Sequence, residues 1–176
     1  VDKIASLTGA FSWSVSQYQH LVATACKLTA SDTVTLSDSG TNLANLTVTE
    51  ILALSQNGID VINVSSGTLQ ISVAKYQALI STSCTMTGAV TLYDTALNLS
   101  ALSPTQLGAL SSHGVTTIDA SDVGGLYISV AQATALGHTI TLGASHSVTL
   151  KDTAANIAAM TSTLIDQLAT KGLDYI

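Results

Sequence analysis

Three short stretches set the hydrophobic pattern of this chain. Val34-Thr35-Leu36, Val90-Thr91-Leu92 and Val148-Thr149-Leu150 alternate apolar, polar, apolar. That period of two puts Val and Leu on one face of a strand and Thr on the other, and β-branched residues suit such a pleated surface. A second alternation carries Phe11 and Trp13, Leu69 and Ile71, Leu126 and Ile128. Before it stand VDKIAS, IDVINVS and VTTIDAS, starting at Val1, Ile59 and Val115 and each predicted to be a strand. After it the spacing turns helical, in SVSQYQHLVATAC, SVAKYQALISTSC and SVAQATALGHTIT.

Helix signals punctuate the pattern. Ser14, Ser72 and Ser129 stand at N-cap positions, and Gln17 and Gln132 follow at capping-box spacing, which Lys75 breaks in the middle stretch. Thr47 with Glu50 and Ser103 with Gln106 repeat the signal, with Pro104 at the favoured first helical position. The third such start, at Thr161 and Ser162, lacks the Glu or Gln. Gly58, Gly114 and Gly172 stand where a left-handed C-cap residue belongs. His113 and Lys171 precede two of them, on the helix end that favours positive charge.

The whole pattern is written three times, with a period of about 57 residues. A repeat of this kind buries its apolar face against its neighbours. The copies run 1–58, 59–114 and 115–172, and 173–176 begins a fourth. Each divides into two strand–helix halves, and strands joined by helical crossovers pair in parallel. The predicted fold is therefore α/β: a single solenoid domain over 1–176, with six half-units, a parallel sheet on one face and helices on the other. The register between the two kinds of half stays open, because they do not align without a gap. Neither end carries a polar capping repeat, so the terminal strands are expected to self-associate.

The Val-Thr-Leu strands end at Asp38, Asp94 and Asp152, and Asn42, Asn98 and Asn156 follow, each before Leu or Ile. This strand-then-Asn order resembles leucine-rich repeats. The resemblance implies Asn side chains that hydrogen-bond backbone at the turn out of the strand. The first halves depart from it, with Gly9, Gly67 and Gly124 where Asn would stand. The Thr, Val and Ala-rich copies also resemble tandem arrays of large secreted bacterial proteins, which implies a secreted or cell-surface location and an adhesin, surface-layer or scaffold role.

Composition narrows the partners. The net charge is −6, there is no Arg, and the lysines Lys3, Lys27, Lys75, Lys151 and Lys171 are scattered. Nucleic-acid binding needs clustered Lys and Arg, so no nucleic-acid partner is expected. No apolar run of about 20 residues exists to insert in a membrane.

Candidate chemistry is sparse. Asp38, Asp94 and Asp152 form the candidate cation column, because Ca²⁺ and Mg²⁺ take oxygen ligands. Stacked copies would space them by roughly 10 Å, too far to share an ion, so they read as turn caps and no metal or cofactor is expected. Gln70, Tyr93 and Tyr127 alternate outward and are the candidates for binding an extracellular glycan or protein. Trp13 shares its position with Ile71 and Ile128 and reads as core. Cys26 and Cys84 are equivalent and read as free, small, buried apolar residues. The four histidines show no metal spacing, although His138 and His146 share a loop. No Gly-x-Ser-x-Gly elbow is present. The pattern thus points to a non-catalytic structural repeat segment. A binding module using the sheet face is the alternative, and a polysaccharide-active enzyme on a parallel β scaffold is the third reading.

Overall fold

A computed structural model describes residues 3–7, 9–24, 26–29, 31–137, 139–143 and 146–176. The chain folds as two compact units, Val1–Val90 and Thr91–Ile176. The strand VDKIAS is described from Lys3; Val1 and Asp2 lie outside the described residues.

The first unit runs β1 (Lys3–Ile4), β2 (Ala10–Trp13), α1 (Val15–Ala23), β3 (Lys27–Leu28), β4 (Thr33–Ser39), α2 (Gly40–Ala44), α3 (Val48–Leu52), a 3₁₀ turn (Ser55–Asn57), β5 (Val61–Ser66), β6 (Leu69–Ile71), α4 (Val73–Ile80) and β7 (Thr85–Thr87). β1 pairs β3, and β2, β4, β5 and β7 make one sheet in that order. The strand β8 (Val90–Asp94) opens the second unit but for its first residue. There follow α5 (Ala96–Ser100), α6 (Pro104–Gly108), a 3₁₀ turn (Ser111–His113), β9 (Thr117–Ala120), β10 (Leu126–Ile128), α7 (Val130–Ala135), β11 (Thr141–Leu142), β12 (Val148–Leu150), α8 (Ala154–Ala158) and α9 (Ser162–Lys171). β9 lies between β8 and β11, and β10 pairs β12. All these pairings are parallel.

The α/β class with parallel strands is as read from the sequence, but the expected single sheet is not: the strands form several short sheets. β3, β7 and β11, which the pattern did not predict, each add a short strand ahead of a Val-Thr-Leu strand. β4 takes β2 on one edge and β5 on the other, which moves the ladder sideways from one half to the next. A bulge at Asp38/Ser39, where the register jumps from Asp38↔Val64 to Ser39↔Ser66, takes up an unmatched residue.

The second halves also hold an additional helix: short α2 and α5 precede α3 and α6, which start at the predicted caps Thr47 and Ser103. Ser39, Thr95 and Thr153 cap α2, α5 and α8, accepting from the N–H groups of Asn42, Asn98 and Asn156. The cores are mainly aliphatic: Val34, Leu36, Leu54, Val90, Leu92 and Leu110 are fully buried, and Tyr18 and Tyr76 join them in the first unit.

Candidate functional site

The three strand-ending aspartates are saturated with donors from their own neighbourhood. Asp38 Oδ1 accepts from the Ser39 N–H at 2.8 Å and from Asn42 Nδ2 at 2.7 Å, and Oδ2 accepts from the Val15 N–H at 3.0 Å. Asp152 repeats this with Thr153 at 2.7 Å, Asn156 at 2.7 Å and Val130 at 3.0 Å. Asp94 accepts from the Thr95 N–H and Asn98 Nδ2, both at 2.8 Å. Asn42, Asn98 and Asn156 therefore bond a carboxylate, not the backbone that the leucine-rich-repeat resemblance implied. The short α2, α5 and α8 turn each Asn toward the Asp four residues earlier, so one oxygen collects both donors.

These bonds favour the ionised carboxylates. At Asp38 burial pushes the carboxyl up, but bonds from Asn42, Val15 and Ser39 outweigh it and hold it below its ordinary value. The Asn156, Thr153 and Val130 bonds do the same for Asp152, and the Thr29 hydroxyl and Ser6 N–H for Asp32. Among the described residues no group of three His, Cys, Asp or Glu could hold a metal ion.

Sequence reasoning missed where these carboxylates reach. Asp38, Asp122 and Asp152 each accept the first N–H of an earlier helix, from Val15, Ala96 and Val130. Asp32, Asp60 and Asp174 each accept an N–H in an earlier segment, from Ser6, Val34 and Val148 at 2.7–2.8 Å. All six bonds run back 22 to 26 residues, one half-unit. Three of the donors are helix N-terminal N–H groups, which lack intrahelical partners. The findable signal was Asp60 and Asp174 at one repeat position, each a half-unit after a Val-Thr-Leu strand.

Cap side chains also reach back. Gln132 Oε1 accepts from the Ser129 N–H at 2.7 Å, while Nε2 donates to the carbonyls of Ser100 at 2.9 Å and Leu102 at 2.7 Å. Lys75 Nζ donates to the Ala44 carbonyl, and buried Lys171 Nζ to that of Ile140 at 2.9 Å. Burial lowers the Lys171 pKa. Ser14, Ser72 and Ser129 cap α1, α4 and α7, and boxes form with Gln17 and Gln132. Gly58, Gly114 and Gly172 are left-handed, with φ of +86°, +83° and +94°.

The outward candidates fall in both units. Gln70 is exposed on β6 in the first unit. In the second, Tyr93 is half-buried opposite Asp119, and Tyr127, 49% exposed, has Lys151 Nζ 5.1 Å over its ring. His146 Nδ1 lies 4.0 Å from Asp119 Oδ1; His138 lies outside the described residues. Both cysteines are free. Cys84 is buried, its Sγ 3.1 Å from the Ile59 carbonyl oxygen, but Cys26 is only half-buried, a correction to its reading as core. Trp13 too is half-buried and not core: it lines an open hollow with Ile4 and Cys26, whereas its equivalent Ile71 is buried beside Leu43 and Leu46. No helix among the described residues is long and apolar enough to cross a membrane.

Comparison with protein-family models, curated proteins and solved structures finds no match.

Proposed function

We propose that this chain is a structural repeat segment of a secreted or cell-surface bacterial protein, of adhesin, surface-layer or scaffold type, and that it performs no catalysis. Its three sequence copies stack as one α/β solenoid. The observation that carries this reading is the set of six aspartates, each bonded to a backbone N–H one half-unit earlier. More than half of the acidic side chains are thereby occupied in joining segments. The location rests on composition and on the resemblance to secreted arrays. A second reading, a glycan- or protein-binding module, draws on exposed Tyr127 on β10.

A tandem fusion tests the reading. Ile4, Ile62, Ile118 and Ile176 are equivalent, so Ile176 of one copy is joined to Ala5 of the next. Stacked repeats gain nearest-neighbour interfaces. The fusion is expected to melt at a higher temperature than the single chain, in a single transition. Two flexibly linked bodies with an unchanged melting temperature would reject the stacking reading. Saturable binding to a glycan array that Tyr127→Ala abolishes would favour the second.

A further inference from the structure

We propose that the outer face of β10 and β12 binds a carboxylated sugar, held by Tyr127, Thr149, Tyr175 and Lys151. This rests on the second reading above, whose ligand class it names, and is independent of the stacking reading.

Tyr127 pairs with Thr149 across β10 and β12, and Thr149 pairs in turn with Tyr175. Paired residues of neighbouring strands project from one face. The residues on either side of Tyr127 and of Thr149 are buried, so this row points outward. Neighbouring strands lie about 4.8 Å apart, which sets the two tyrosines about 10 Å apart along the row. Two linked pyranose rings span a similar length. The equivalent rows elsewhere in the chain are Ser12, Thr35 and Val61, and Gln70, Thr91 and Thr117. Neither carries an aromatic ring, so the tyrosine pair is particular to this copy. Ser12 and Gln70 are exposed, as Tyr127 is, so the outward aspect belongs to the row in each copy.

The rings and one cation select the ligand. A tyrosine offers a flat apolar face to the C–H side of a sugar ring and a hydroxyl to its polar edge. Exposed Lys151 holds its Nζ 5.1 Å over the Tyr127 ring, within cation–π range. Among the described residues Lys151 makes no ion pair. Neighbouring Asp152 is occupied elsewhere, its oxygens accepting from Thr153, Asn156 and Val130. An ammonium held beside a ring suits a sugar that stacks there and carries a carboxylate, because charge-assisted hydrogen bonds are the strong ones. The net charge sets the limit. The chain carries −6 and no Arg, so a sulfated polyanion is repelled. The ligand is a mainly neutral oligosaccharide with a single acidic sugar, a sialic or a uronic acid.

The full chain is titrated with sialyllactose, an aldobiouronate, lactose and heparin, by ligand-detected NMR and calorimetry. At least one of the two acidic sugars should bind saturably and more tightly than lactose, with an affinity that falls as salt rises. The tighter of the two shows whether the carboxylate belongs to a sialic or a uronic acid. Heparin should not compete. Lys151→Gln should cost about tenfold for the acidic sugar and leave lactose unchanged. Tyr127→Ala should weaken every sugar, while Tyr127→Phe keeps the ring and most of the affinity. Both positions are exposed, so the melting temperature should hold in each variant. Equal affinity for lactose and the acidic sugars, acidic-sugar binding that ignores Lys151→Gln, or heparin as the preferred ligand would overturn the proposal. If lactose binds equally well and needs Tyr127, the second reading stands without the carboxylate. If no glycan binds, this proposal fails and glycan binding drops out of the second reading with it, while the fused tandem still decides the stacking.

Discussion

Replacing Asp38 with Asn keeps one acceptor oxygen but sets an NH₂ against N–H donors. The oxygen stays with Ser39 and Asn42, its two donors, so the NH₂ faces the Val15 N–H, which loses its partner. The expected cost is about 1–3 kcal/mol in urea unfolding. Asp166→Asn, at an exposed position on α9, should stay within about 0.5 kcal/mol. The same carboxylates set the acid limit of stability. Asp32, Asp38 and Asp152 titrate lower folded than unfolded. Their contribution is therefore fully present above the unfolded carboxylate range and is lost as pH falls through the folded values, below about pH 4. Asp38→Asn should flatten that acid limb; an unaltered limb would remove the carboxylate from the account. The left-handed glycines separate by contact. Gly67→Ala should cost about 1 kcal/mol for its left-handed backbone, because nothing lies near the added methyl. Gly58→Ala should cost more, because its methyl would also lie 2.8 Å from Leu28 Cβ. Equal costs would mean that the contact relaxes freely. The cap positions of Ser14, Ser103 and Gly58 were legible because capping is local chemistry. The backward reach of the aspartates was not, since it depends on which segments become neighbours.

Gln132 shows that one side chain can close a capping box and still reach the preceding segment, whereas Lys75 at the equivalent position does only the second. Lys75→Gln should therefore restore the box in α4 and hold or raise stability, by up to about 1 kcal/mol. A loss of similar size would show that the ammonium bond to the Ala44 carbonyl matters more than the cap. Strands with a clean alternation, such as Val90-Thr91-Leu92, were readable as strands. β3 and β11, two residues each, are too short to display a period, and their pairing partners alone define them. The five-residue α2, α5 and α8 escaped for a related reason: barely more than one turn leaves no stripe of apolar positions. The added five-residue helices give each copy an extra corner that the pattern does not announce.

At the level of the chain, the threefold pattern announced an α/β fold with parallel strands, while Trp13 and Cys26 show where equivalence misleads. Their counterparts Ile71 and Cys84 are buried because an earlier segment covers them. Adding EDTA should leave the melting temperature unchanged, since the oxygens of Asp38 and Asp152 already hold N–H donors; a clear Ca²⁺-dependent rise would reinstate the aspartates as ligands. The central claim is that carboxylates join half-units to the ones before them within each compact unit, and amide hydrogen exchange tests it directly. The N–H groups of Val15, Ala96 and Val130 open helices, where exchange is ordinarily fast for want of an intrahelical partner. Here they should be protected at neutral pH like those of the buried strands, and Asp38→Asn should release Val15 alone. Exchange at Val15, Ala96 and Val130 as fast as in an open chain, with the strands still protected, would contradict the account.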